Sequence, residues 1–204
     1  MTAPAVDLVV MGMSWGGLHA LSTVLRHLPG DYPIPIAAVQ HRSRESTSLL
    51  ADLLQDCTDL PVREVEDQDA VEPGVHVAPP DYHLLLNDGH FSLSVDPPVR
   101  FSRPSIDVTF GSAADVYGAR LAGVVLTGAN DDGARGLECI VERGGIALVQ
   151  DPADAESATM PLAALRRVPT AEVHALAALA ARLVSLAGPL APRVAPPPTG
   201  PRLP

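Results

Sequence analysis

No lysine occurs among the 204 residues, and all 14 basic side chains are arginines. That absence excludes a lysine Schiff base, a pyridoxal phosphate anchor and a phosphate loop built around lysine. Aromatic residues are scarce at 3 %, and the formal charge is −10. A nucleic-acid binder needs a basic footprint and usually stacking platforms, so both properties argue against one. The two cysteines, Cys57 and Cys139, lie far apart with no C-x-x-C spacing. Neither a disulfide framework nor a zinc knuckle is suggested, and both read as reduced, packed thiols. Long hydrophobic runs are also missing. The N-terminus has no basic region and its apolar run gives out at Gly12, too soon for a signal peptide or a membrane span. What remains is a cytoplasmic protein with enough chain for one domain and its core.

The apolar pattern alternates between two periods. Residues 7–11, 34–40, 61–65, 121–126 and 146–150 are short β-branched or apolar runs, as expected for buried parallel strands. Between them, Leu18, Leu21, Val24, Leu25 and Leu28 recur at helical spacing and end at Pro29-Gly30. Further helices are expected over residues 48–54, 105–119, 132–143, 161–166 and 171–186. Residues 74–95 differ: three short runs are broken by Pro79-Pro80 and by Asn87-Asp88-Gly89, a hairpin signal. The expected fold is therefore α/β and doubly wound, with a mainly parallel sheet, helices on both faces and a small antiparallel excursion near residues 74–95. The domain is expected over residues 5–187. From 188 to 204 there are seven prolines and no apolar period, which predicts a disordered tail.

Ligands of such sheets bind outside the carboxyl ends of the strands. Three strand ends carry matching chemistry: Gly12-Met13-Ser14-Trp15-Gly16-Gly17, Gln40-His41, and Gly128-Ala129-Asn130-Asp131-Asp132-Gly133. The first fits G-x-S-x-G, whose glycines allow a sharp strand-to-helix turn that exposes a serine hydroxyl. The Trp15 N–H at the helix start is placed to stabilise an oxyanion there, while the plainer role for Ser14 is to cap that helix. A dinucleotide site is disfavoured, because Ser14 occupies the middle glycine of G-x-G-x-x-G and the second strand ends in Gln40-His41 rather than an acid. Of seven histidines, only His41 directly follows an expected parallel strand. Asp131 and Asp132 both follow the third strand end, where one can cap the next helix and the other orient a histidine. The order Ser, His, Asp differs from those of the α/β-hydrolases, chymotrypsin and subtilisin. A metal site is disfavoured, since no i, i+4 ligand pair is present.

Together these motifs resemble the catalytic domain of the chemotaxis protein-glutamate methylesterases. The resemblance also draws on Val39-Gln40-His41, Val77-Ala78-Pro79 with His83, Arg103-Pro104-Ser105-Ile106-Asp107-Val108, Leu126-Thr127-Gly128 and Met160-Pro161, in one order over about residues 7–185. It implies a cofactor-free, metal-free serine hydrolase that removes methyl esters from glutamates of chemoreceptors and deamidates particular glutamines. It assigns Ser14 as nucleophile, His41 as general base and then acid, Asp132 as the residue orienting His41, and the backbone N–H groups of Trp15 and Ala129 as the oxyanion hole. Partners implied are a methylated chemoreceptor or another protein substrate, with control by a separate receiver or chemosensory protein, because the family's receiver domain is not in this sequence. Two departures stand out. Trp15 follows the serine where the family has a small residue or threonine, so it either walls the pocket or packs under a loop. Arg42-Ser43-Arg44 follows His41 where the family continues Met-Pro, so Arg42, Arg44 and Arg103 become candidate contacts for acidic substrate groups. A catalytically silent interaction module and an esterase for another ester are the alternatives.

Overall fold

The computed structural model describes residues 6–42 and 49–188. Ser43, Arg44, the expected start of a helix at Ser48 and all but the first residue of the proline-rich tail lie outside the described residues. The elements in chain order are β1 (Leu8–Met13), α1 (Gly17–Arg26), β2 (Ile36–Gln40), α2 (Leu49–Gln55), β3 (Val62–Glu64), β4 (Val75–Val77), β5 (His83–Leu86) and β6 (Phe91–Ser94). They continue with α3 (Ile106–Tyr117), β7 (Leu121–Val125), α4 (Ala134–Glu142), β8 (Ile146–Gln150), α5 (Thr159–Arg167), β9 (Glu172–His174) and α6 (Leu176–Leu186).

Seven strands form one parallel sheet in the order β3-β4-β2-β1-β7-β8-β9, and β5 and β6 form a separate antiparallel pair. The alternation of side chains along β1 divides the core in two. Val9, Met11 and Met13 join α1, α2 and α6 on one face, while Leu8 and Val10 join α3, α4, α5 and the hairpin on the other. The expected fold is the observed one: β1 is buried along its whole length, as a central strand covered by helices on both faces must be. From β1 the chain winds outward through β2 to one edge, then returns to β7 on the opposite side of β1. That reversal makes the carboxyl end of β1 a topological switch point.

Three details differ from expectation. Val75–Val77 pairs in parallel with β2 and β3, so the antiparallel ladder is the hairpin of residues 83–94, flanked by isolated antiparallel bridges at Ala70–His90 and Val99–Ser102. Residues 171–186 are not one helix: Glu172–His174 adds β9 to the sheet edge before α6 begins, which takes His174 out of the helix. Leu18 belongs to the helical apolar period yet is 39 % exposed, because the core face of α1 is filled by Ala20, Leu21, Val24 and Leu25.

Candidate active site

Three neighbouring strands, β2, β1 and β7, end side by side, and Ser14, His41 and the loop of residues 126–133 follow them directly. Ser14 leaves β1 with its N–H donated to Thr127 O at 3.0 Å, which ties it to the loop after β7. The turn into α1 closes by a hydrogen bond from Gly17 N–H to Ser14 O at 2.9 Å. Gly16 sits in the left-handed region at φ 78, and a Cβ there would lie 2.7 Å from Glu156 Oε2. The positive φ favours glycine, and any side chain there would also have to push the Glu156 carboxylate aside. Among the described residues Ser14 Oγ makes no hydrogen bond to the amides at the start of α1, so it is not spent on capping. Gln40 Nε2 donates to Ser14 O at 2.8 Å and to His41 O at 3.1 Å, which locks the backbones of the two strand ends together.

Asp132, 1 % exposed, lies against His41 with Oδ2 2.8 Å from Nε2. Its two oxygens accept four further hydrogen bonds: from Ile106 N–H at 2.7 Å, Ser105 Oγ at 3.0 Å, Asp107 N–H at 3.0 Å and Gly133 N–H at 3.1 Å. Burial by itself would raise this carboxyl, but the His41 hydrogen bond and the backbone amides outweigh it and hold it below the usual range. The helix-capping role open to Asp131 and Asp132 falls out differently. Asp132 satisfies the first amides of α3, while Asp107, on α3, accepts from Gly133 N–H at 2.9 Å and Gly136 N–H at 2.7 Å at the start of α4. Burial pushes Asp107 above the usual carboxyl range, against its amide donors and with help from the neighbouring Asp132 charge. Asp131 points away, is exposed and pairs with Arg100.

An ionised Asp132 takes the Nε2–H of His41, so the ring's lone pair is on Nδ1. This is the opposite ring nitrogen from the one that faces the aspartate in chymotrypsin-type triads. Asn130 Nδ2 donates to that lone pair at 3.2 Å, and Asn130 Oδ1 accepts from Asp132 N–H at 3.1 Å. Among the described residues Ser14 Oγ makes no hydrogen bond to His41. Ser14 and His41 nevertheless face one groove of about 710 Å³, shared with Trp15, Leu18, Gln40 and Ala129. The backbone N–H groups of Trp15 and Ala129 also have no partner among the described residues. The Trp15 side chain is 66 % exposed, so it forms a wall of the groove and is not packed beneath a loop.

Two expected substrate contacts are engaged elsewhere. Arg42, 7 % exposed, gives Nη2 to Glu64 Oε2 at 2.8 Å and to Ala78 O at 2.7 Å, bridging the ends of β3 and β4. Arg103 reaches Asp81 Oδ1 at 2.7 Å and the carbonyls of Val95 and Asp96 at 2.7 and 3.0 Å, clamping the hairpin. Residues that sequence reasoning passed over are Gln40, Ser105, Asp107 and Asn130. All four sit inside motifs already singled out, but their partners are remote in sequence. No group of three or more histidine, cysteine or acidic side chains able to hold a metal occurs among the described residues.

Residues 9–183 match the family model described as CheB methylesterase. A putative protein-glutamate methylesterase/protein-glutamine glutaminase of Leptospira interrogans is 43 % identical over 182 residues, covering 88 % of this chain and 94 % of that protein. The protein-glutamate methylesterase FrzG of Myxococcus xanthus is 40 % identical over 183 residues, with 89 % of this chain aligned to 55 % of its own. The crystal structure of the Thermotoga maritima CheB methylesterase catalytic domain superposes with a TM-score of 0.85 at 31 % identity, covering 89 % of this chain and 98 % of that one.

Proposed function

The chain belongs to the CheB methylesterase family, and from that premise we propose that it is a serine hydrolase that demethylates glutamate methyl esters on chemoreceptors and deamidates particular glutamines. The observation that carries the reading is the Asp132–His41 pair at 2.8 Å, facing the same groove as Ser14 and two unpartnered backbone N–H groups. In this reading His41 Nδ1 removes the Ser14 proton as Oγ attacks the ester carbonyl. The N–H groups of Trp15 and Ala129 hold the oxyanion, and Asp132 stabilises the imidazolium. His41 then protonates the departing methanol, and water attacks the acyl-serine by the reverse sequence to release the glutamate carboxylate. The open Ser14–His41 contact accords with apo sites, whose catalytic hydrogen bonds commonly tighten only on substrate binding.

The same reading puts the protein in the cytoplasm, in keeping with two free cysteines and with the lack of a described helix long and apolar enough to cross a membrane. Its partner is then a methylated receptor. Methanol release from methyl-esterified receptor tests the function. The intact protein releases methanol, and Ser14→Ala lowers the rate by roughly 10³-fold or more; equal rates for the two would reject the assignment. A second reading, an interaction module without turnover, draws on one observation: Asn130, not Ser14, holds the basic nitrogen of His41. That reading requires receptor binding by the wild-type protein with no methanol released.

A further inference from the structure

Among the described residues, Arg26, Arg135 and Arg166 are the arginines without a carboxylate partner. Arg135 and Arg166 line one recess of about 410 Å³ between α4, α5 and the loop before α3, which shares no lining residue with the Ser14 groove. Arg100 and Arg167 also line it, so four guanidiniums surround one space. Arg100 pairs with Asp131, and Arg167 Nε donates to Glu138 Oε2 at 2.7 Å. Those two carboxylates are the acids of the lining, and Arg135 and Arg166 stay uncompensated. Asp107 lines an adjoining recess that shares Arg100 and Arg135, where its Oδ1 is taken by the N–H groups of Gly133 and Gly136. Arg100 also feels the charges of Asp107 and Asp132, so the free charge belongs to Arg135 and Arg166. The fold does not account for Arg135. It is the second residue of α4, in a first turn without an acid, where the helix dipole disfavours a cation. Its backbone N–H has no acceptor among the described residues, which adds a free donor at the positive end of the helix.

We propose that this recess is an anion site for a compact phosphorylated ligand, of the class of inorganic pyrophosphate and short-chain phosphate esters. Its charge calls for an anion, in a chain whose net charge of −10 repels anions elsewhere. The number of guanidiniums selects phosphate over carboxylate. One arginine fork satisfies both oxygens of a planar carboxylate, whereas a phosphoryl group presents three terminal oxygens that forks from α4 and α5 can share. The uncharged part of the lining is Ala134 and Ala163, short side chains that leave room for the guanidinium ends to converge. No aromatic or long apolar side chain lines the recess, so nothing there holds a nucleobase or an acyl chain, and the ligand is small and polar throughout. Binding here needs no turnover at Ser14, so it stands whether or not the protein is an esterase.

Isothermal calorimetry of the full chain with inorganic pyrophosphate, at about 0.15 M salt to screen diffuse attraction, tests this. Pyrophosphate binds at one site with a Kd of about 1 mM or tighter. Arg135→Ala and Arg166→Ala each weaken it by about 10-fold, as expected for loss of a charge-assisted hydrogen bond. Arg26→Ala, which removes the same charge from the other unpaired arginine, leaves the Kd unchanged. Malonate, a dianion with two carboxylates, binds at least 10-fold more weakly than pyrophosphate, and AMP no more tightly than inorganic phosphate. Arg135→Ala does not lower the ligand-free urea midpoint, since it takes a cation from the first turn of α4, and this separates lost binding from lost folding. No saturable binding of pyrophosphate, or equal weakening by Arg26→Ala and Arg135→Ala, would overturn the site. Malonate binding as tightly as pyrophosphate would overturn the phosphate assignment. A phosphoserine peptide binding more tightly than pyrophosphate would replace the free anion by a phosphorylated protein.

Discussion

Asn130 decides whether the basic nitrogen of His41 is available. Its amide donates to Nδ1 at 3.2 Å, so in the proposed mechanism Ser14 displaces it before His41 takes the serine proton. Serine at this position keeps an oxygen for the Asp132 N–H but does not reach the imidazole. Asn130→Ser is therefore expected to raise kcat on a small methyl ester by about 2- to 10-fold, the worth of one neutral hydrogen bond, with KM unchanged. Steady-state rates check this, and a fall in kcat would assign the amide a supporting part in catalysis. Ser14, His41 and the aspartate pair were readable from sequence because each follows a strand, and strand ends are where this fold presents ligands. Choosing Asp132 over Asp131 from residues alone needed the family resemblance, since both occupy the same loop. The burial of Arg42 was not readable: an arginine next to His41 looks the same on paper whether it faces a groove or bridges two strands to Glu64.

Helices α3 and α4 exchange their caps through Asp132 and Asp107. Each carboxylate satisfies N–H groups that would otherwise be unpaired at the start of the other helix. Asp107→Ala should cost about 1–2 kcal/mol of stability, within the usual range for a lost cap. Amide exchange should speed up at Gly133 and Gly136 more than elsewhere in α4. Unchanged protection at those two amides would mean that the cap is energetically idle. Local sequence could not reveal the exchange, because Asp132 looks like an ordinary cap of the helix it precedes and Asp107 like an ordinary first-turn acid of the helix it lies in. The alternation of strand and helix was readable for the opposite reason: buried parallel strands are continuous apolar runs that differ plainly from the helical period. β9 escaped notice because Glu172-Val173-His174 is a short edge strand, half polar, that carries no such run.

Over the entire chain, acid is expected to act on folding through a few carboxylates with opposing signs. Asp132 is held below the ordinary carboxyl value of about 3.9, so its contribution is complete above that pH and drains away as pH falls further. Glu172 acts with the same sign: its hydrogen bonds to Arg182 lower it to about 2 and tie β9 to α6. Asp107 is raised, so its contribution is present below about pH 3.9 and is lost as pH climbs through its own higher value. Urea midpoints measured against pH should fall below pH 4 for the wild-type protein, and Asp132→Asn should flatten that limb while starting from a lower plateau. Asp107→Asn should remove the opposing slope above pH 4 instead. A limb below pH 4 that is identical in wild type and Asp132→Asn would contradict this.

The one tryptophan of the chain is Trp15, and it stands in the groove with two-thirds of its surface in water. Its indole emission is consequently that of a solvated ring in the native state and changes little when the chain unfolds. What does alter its surroundings is an occupant of the groove. Intrinsic fluorescence of this protein is thus a built-in titration signal for whatever docks beside Ser14, and a poor thermometer of its folding.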